Sequence, residues 1–228
     1  MSTTRATTDP ASSFDGFRRL ADASQEQEPL YRREGDDDPL ALSIDGTQLL
    51  VEVQSLERGR DMLLMTRRDD NTTGFSDYLR ADWNETTGTI SPDGAWLAYV
   101  SDESGIPEVY IRSFPEAEAQ QMVSSGGGTQ PVWAPDGSAI YYRDGIRVMR
   151  ASITNGGAPS VVSRETLFEA QWLADAIGRH DWDVHPDGRS FVAVRRPATE
   201  GTEVGGVPII PVRVVVNWFE ELKAKVGR

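Results

Sequence analysis

The 228-residue sequence predicts an all-β fold, a β-propeller of about four blades. Three observations predict it. A four-residue turn phrase recurs at blade-like intervals. Short runs rich in β-branched and aromatic residues flank every copy. Each interval also has room for two further strands, which makes four per unit.

The turn phrase reads Ser43-Ile44-Asp45-Gly46, Ser91-Pro92-Asp93-Gly94, Ala134-Pro135-Asp136-Gly137 and His185-Pro186-Asp187-Gly188, with steps of 48, 43 and 51 residues between the aspartates. Periods of ~40–50 residues belong to propeller blades or helical arrays, and the turn chemistry chooses between them. Proline presets φ near −65°, aspartate tolerates the next turn position, and glycine supplies a positive φ. Such a turn joins two antiparallel strands. Leu40-Ala41-Leu42, Gly88-Thr89-Ile90, Pro131-Val132-Trp133 and Asp181-Trp182-Asp183-Val184 precede the turns. Leu49-Leu50-Val51, Leu97-Ala98-Tyr99-Val100, Ile140-Tyr141-Tyr142 and Phe191-Val192-Ala193-Val194 follow them. Runs this short and this rich in such residues are strands.

Third strands are expected at residues 61–65, 108–111, 146–149 and 212–216. More polar fourth strands are expected at 76–79, 119–123 and near 160–162. The blades then span about 36–84, 85–125, 126–169 and 170–228. Residues 1–35 form a polar N-terminal segment with one remnant outer strand at Phe17-Arg18-Arg19-Leu20 and no partner strands. Residues 197–211 are a long insertion rich in Gly, Pro and Glu, and helix is confined to a turn near 218–225.

Composition narrows the function. A net charge of −13 and a pI near 4.6 repel phosphate backbones and anionic membrane surfaces, so neither nucleic acid nor membrane insertion is expected. No apolar run approaches the ~18 residues of a membrane-spanning helix, and the polar start at residues 1–10 has no secretory pattern. As written, the chain reads as cytoplasmic. It would be extracytoplasmic as part of a receptor. With no cysteine, thiolate metal sites, disulfides and cysteine nucleophiles are out. The only lysines are Lys223 and Lys225, so the fold has none to place on nucleotide phosphates. No Gly-rich phosphate loop and no Gly-x-Ser-x-Gly elbow is present.

The segments Ser91-Pro92-Asp93-Gly94-Ala95-Trp96-Leu97-Ala98-Tyr99-Val100-Ser101-Asp102-Glu103-Ser104-Gly105 and Glu108-Val109-Tyr110-Ile111-Arg112-Ser113-Phe114-Pro115 resemble the TolB-like β-propeller repeat. More narrowly, they resemble the propeller that follows the kinase domain in bacterial serine/threonine protein kinases. Gly126-Gly127-Gly128-Thr129-Gln130-Pro131-Val132-Trp133 and Val215-Val216-Asn217-Trp218-Phe219-Glu220-Glu221-Leu222 fit the same group. The resemblance covers about residues 36–228 and implies a six-bladed plan. Four turn motifs and no kinase domain imply a truncated or open ring, the C-terminal portion of a longer parent or a shortened paralogue.

The candidate chemistry has bland readings beside the sharp ones. Asp45, Asp93, Asp136 and Asp187 could pass for a carboxylate cluster, but the turn demands the same atoms. His180 and His185, with Asp181 and Asp183, could suggest a metal site or a general base. His185 stands where Ser or Ala stands in other turns, which favours capping. Trp96, Trp133 and Trp182 are expected to pack between blades, with ligand stacking the lesser reading. No catalytic, cofactor-binding or metal residue is assigned, and no cofactor is expected. The chain therefore reads as a binding module and not an enzyme, resembling a kinase-linked sensor. The alternatives are a propeller gating a peptidase or hydrolase, and a gene fragment. Protein partners or self-association are expected, with a small ligand as a further option. The first and last blades would expose apolar faces, driving self-association or pairing unless residues 197–211 cover the gap.

Overall fold

The computed structural model describes residues 2–6, 13–19, 26–34, 37–55, 59–68, 72–154, 157–171 and 181–193, with the pairs 203–204 and 207–208. A three-stranded antiparallel sheet comes first, in the order β1 (Ser2–Ala6), β2 (Ser13–Arg19), β3 (Glu28–Glu34). Three four-stranded sheets follow, each an antiparallel meander. The first holds β4 (Asp37–Leu42), β5 (Gln48–Ser55), β6 (Gly59–Arg67) and β7 (Thr73–Leu79). The second holds β8 (Glu85–Ile90), β9 (Trp96–Ser101), β10 (Glu108–Ser113) and β11 (Gln120–Met122). The third holds β12 (Thr129–Trp133), β13 (Ala139–Asp144), β14 (Arg147–Ile153) and β15 (Val161–Glu169). Two strands of a last sheet, β16 (Trp182–Val184) and β17 (Phe191–Ala193), and a minimal hairpin, β18 (Glu203–Val204) with β19 (Val207–Pro208), complete the described strands.

The fold is a TolB-like β-propeller whose described sheets form an open arc rather than a closed ring. The four turns repeat one geometry. Gly46, Gly94, Gly137 and Gly188 take φ of 71°, 76°, 71° and 67°. In each turn the aspartate Oδ1 accepts from the backbone N–H two residues on, at 3.0 Å for Thr47, 3.1 Å for Ala95, 2.9 Å for Ser138 and 2.8 Å for Arg189. Each motif aspartate is thus a turn residue.

Strand side chains alternate between the two faces, and here both faces are buried. In β9, Leu97 and Tyr99 pack toward the first sheet against Leu50, Met62 and Leu64. Ala98 and Val100 point the other way and pack against Trp133, Ile140 and Tyr142 of the third sheet. Val132, Tyr141 and Val148 in turn meet Trp182, Val184 and Phe191.

Two sequence expectations change. The N-terminal strand at Phe17 is not alone. It lies in β2, between β1 and β3, with Phe17 opposite Thr4 and Pro29. Nor is the outer face of the first sheet bare. Tyr31 of β3 packs onto Leu49, Val51, Val53, Leu63 and Met65, all buried, and meets Phe75 edge-on at 5.3 Å. A Cβ at Gly16 would fall 2.2 Å from the Tyr31 ring, so glycine lets β2 lie against it. The polarity of residues 1–35 concealed this because the contact is made by two neighbouring side chains, Leu30 and Tyr31, within a polar segment. The expected strand at 212–216, the helical turn near 218–225 and all of insertion 197–211 except β18 and β19 lie outside the described residues.

Tyr31 is therefore expected to hold the arc's first face. Tyr31→Ala should cost about 3–5 kcal/mol, the usual cost of removing a large buried side chain. Urea unfolding, read with a hydrophobic dye, should show a lower midpoint and new dye binding for the variant.

Candidate functional site

The inner strand of each sheet is an edge strand, which is where prolines such as Pro39 and Pro131 are tolerated. β4, β8, β12 and β16 converge on an axial cleft of about 460 Å³. Pro39, Thr89, Val132, Trp182, Asp183 and Val192 are among its lining residues. Gly88 keeps β8 close to the first sheet, since a Cβ there would come within 2.7 Å of Leu50 Cδ2. Indole hydrogen bonds set the spacing of the inner strands. Trp133 Nε1 donates to Thr89 O at 3.1 Å, and Trp182 Nε1 donates to Gln130 O at 3.1 Å. These two tryptophans pack between sheets, as expected from the sequence.

The inner strands begin at the same end of the arc, and each start carries a buried polar side chain: Asp37, Glu85, Gln130 and Asp181. Arg33 Nη1 donates to Asp37 Oδ1 at 2.5 Å. Arg143 Nη1 reaches both Gln130 Oε1 at 3.1 Å and Asp181 Oδ1 at 3.3 Å. The Arg143–Asp181 pair ties the third sheet to the last one beside the cleft. Buried pairs of this kind fix geometry more than they add stability.

Glu85 sits at the seam of the first and second sheets, 4% exposed, with no hydrogen-bond partner for its Oε2. Burial pushes its carboxyl up to about 7, helped by the carboxylates of Asp61, Asp102 and Glu103 and opposed by Arg112. Its neighbours are held rigidly. Asn84 donates to Asp102 through its backbone N–H at 2.8 Å and its side-chain amide at 2.7 Å. Glu52 accepts from Arg60 Nη1 at 2.6 Å and from the Thr87 N–H at 3.1 Å.

The residues singled out in the sequence do not assemble into one site. Asp45 and Asp136 are held below the usual carboxylate range by serine side chains of their own turns, and Asp187 by the Arg189 N–H. His185 Nδ1 accepts from the Asp187 N–H at 3.3 Å and lies 3.0 Å from Asp187 Oδ1, which is the capping role. Asp181 turns to Arg143, while the exposed Asp183 accepts from the Val184 N–H at 2.7 Å. His180 lies outside the described residues. Among the described residues no three His, Asp or Glu side chains could hold a metal ion together. Glu85, Gln130 and Arg143 were not singled out in the sequence. The available signals were an arginine following the apolar run Ile140-Tyr141-Tyr142 and a polar residue at the start of each inner strand, acidic in Asp37, Glu85 and Asp181.

No protein-family model matches this chain. Over 74 residues it is 32% identical to the uncharacterized peptidase YuxL of Bacillus subtilis, which is 32% of this chain and 11% of that protein. Among solved structures it is similar to TolB from Acinetobacter baumannii, with a TM-score of 0.58 and 18% identity, covering 82% of this chain and 44% of TolB. It is also similar to oligogalacturonate lyase from Vibrio parahaemolyticus, with a TM-score of 0.57 and 15% identity, covering 80% of this chain and 51% of the lyase. The chain thus spans about half or less of each of these proteins.

These likenesses correct the expectation that the chain is not an enzyme. The fold is shared with a lyase, and the sequence match is to a peptidase, so a propeller without a nucleophile elbow or a kinase signature is no argument against catalysis.

The Glu85 seam generates a pH-dependent expectation. The folded-state carboxyl titrates near 7, against an ordinary 4.5. A penalty on folding therefore begins above the unfolded value and is complete above the folded one. Glu85→Gln should stabilise the protein at about pH 8 by about 1–2 kcal/mol after allowance for solvent screening, and change little near pH 4. Chemical denaturation at the two pH values checks this. An equal shift at both would mean that Glu85 does not titrate as described.

Proposed function

We propose that this chain is the polypeptide-binding propeller segment of a larger peptidase-type assembly, with an extended peptide held in the axial cleft. One observation carries the reading. The inner strands, each paired with a neighbouring strand on one side only, meet at a cleft of about 460 Å³ lined by Pro39, Gly88, Val132 and Ala193, beside the polar Asp181 and Asp183. An extended peptide is recognised by just such edges, through main-chain hydrogen bonds that tolerate many side chains. The sequence match to a peptidase supports the class. In this reading the propeller admits and orients substrate for a hydrolase domain.

A kinase-linked sensor is the second reading, favoured by the form of residues 91–115. The two differ in what the cleft accepts. A peptidase propeller binds peptides with little regard to sequence, whereas a sensor selects one ligand.

Fluorescence polarisation with labelled peptides of increasing length tests both. Affinity should rise with length up to about five residues, roughly 17 Å of extended chain. It should vary less than about tenfold with side-chain identity. Val192→Trp, which fills the cleft, should weaken binding at least tenfold without altering the circular dichroism spectrum. Binding confined to one sequence would favour the sensor, and no saturable binding would overturn the cleft as a peptide site.

A further inference from the structure

At the turn-bearing end of the arc, the seam between the second and third sheets opens into a groove of about 320 Å³. Pro92, Asp93 and Trp96 line it from one sheet, and Trp133, Pro135 and Asp136 from the next. This groove takes no part in the axial cleft.

Trp96 is the residue there that the repeat does not explain. Two positions after the turn glycines stand Gln48, Trp96, Ala139 and Ser190, so the architecture requires no aromatic ring at that place. Trp133 is buried, with its indole N–H donating to Thr89 O. Trp96 is only partly buried. It packs against the core of the seam and also lines the groove.

The two carboxylates at the groove have unspent capacity. Asp93 Oδ1 accepts from Ser91 Oγ at 2.5 Å and from the Ala95 N–H at 3.1 Å. Asp136 Oδ1 accepts from the Ser138 N–H at 2.9 Å and from its Oγ at 2.7 Å. The turns use one oxygen of each, and among the described residues neither carboxylate is in an ion pair. Arg150 acts on Asp136 at longer range and is itself bonded to Ser152 and Glu165.

We propose that this groove is a binding site for an arginine side chain carried by an extended segment of a partner polypeptide, with the guanidinium stacked on Trp96 and facing Asp93 and Asp136. A guanidinium is planar and weakly hydrated, so it gains from an aromatic face and from carboxylates together. The proline-lined walls suit an extended chain, which brings no bulky secondary structure into the groove. A net charge of −13 draws a basic segment toward the surface. The carboxylates supply the charge complementarity, and the aromatic face selects arginine over lysine.

The probe is the fluorescein-labelled peptide acetyl-Ala-Pro-Arg-Pro-Ala-amide, titrated against the full chain. Controls carry citrulline, which keeps the planar shape without the charge, or lysine at the central position. The arginine peptide should bind saturably and weaken with salt. The citrulline peptide should bind at least tenfold more weakly, and the lysine peptide severalfold more weakly. Trp96→Gln, which installs the residue of the first repeat, should cost at least tenfold. Asp93→Asn with Asp136→Asn keeps the turn acceptors while removing the charge, and should cost as much even if Trp96→Gln folds poorly. Binding of the arginine peptide should persist in excess of a neutral peptide that fills the axial cleft, which separates the two sites. Equal binding of citrulline and arginine, undiminished binding by the doubly neutralised variant, or no saturation up to about 5 mM peptide would overturn the proposal.

Discussion

Two-sided burial of each sheet is the constraint on which the rest of this molecule depends. A four-stranded meander with apolar residues on both faces cannot stand alone in water, and burial is worth roughly 25 cal/mol per Å². Each sheet therefore needs a neighbour on either side, and the radial order follows from that need. Tyr99 and Val100 are adjacent in sequence, yet they serve two different seams. The same logic explains the first sheet, where Tyr31 supplies the cover that a preceding blade would otherwise give.

The cleft at the axis is a consequence of how the inner strands are pitched. The repeated turn ties each inner strand to the next strand of its sheet, and the two indole hydrogen bonds tie inner strands to one another across seams. Polar groups buried at the strand starts then have little freedom. Arg143 joins Gln130 and Asp181 across neighbouring sheets. On the second sheet, Glu108 accepts from the N–H groups of Gly126 at 2.7 Å and Gly127 at 3.0 Å, which shapes the loop into β12. A scaffold this determined can hold loops and edges in fixed positions, which is what a binding site needs.

Fold and activity are separable here. The propeller is shared with TolB and with a lyase, and the short sequence match is to a peptidase. An architecture found with such different partners does not specify a chemistry. Residues outside the repeat pattern, such as Arg143 in an apolar strand and Trp96 after a turn, are better guides to what this chain does than the repeat itself.

The turn phrase and the short apolar runs determined the strand order of the three four-stranded meanders and the role of Asp45, Asp93, Asp136 and Asp187, because these rest on local backbone conformation, whereas the three-stranded sheet before them carries no turn phrase. A proline, an aspartate acceptor and a glycine at positive φ act within four residues. Leu97-Ala98-Tyr99-Val100 places apolar side chains on both faces of its sheet. What covers them was decided by the tertiary structure alone. Tyr31 lies in a polar segment and works through one ring, so no periodicity announces it. Glu85 is unremarkable in sequence and becomes a perturbed acid only when the packed sheets bury it and bring Asp61 beside it across a seam. The pairing of Arg143 with Asp181 spans 38 residues. Local turns are written in neighbouring residues, whereas charge burial and face covering depend on groups far apart in the chain that only the packed sheets bring together.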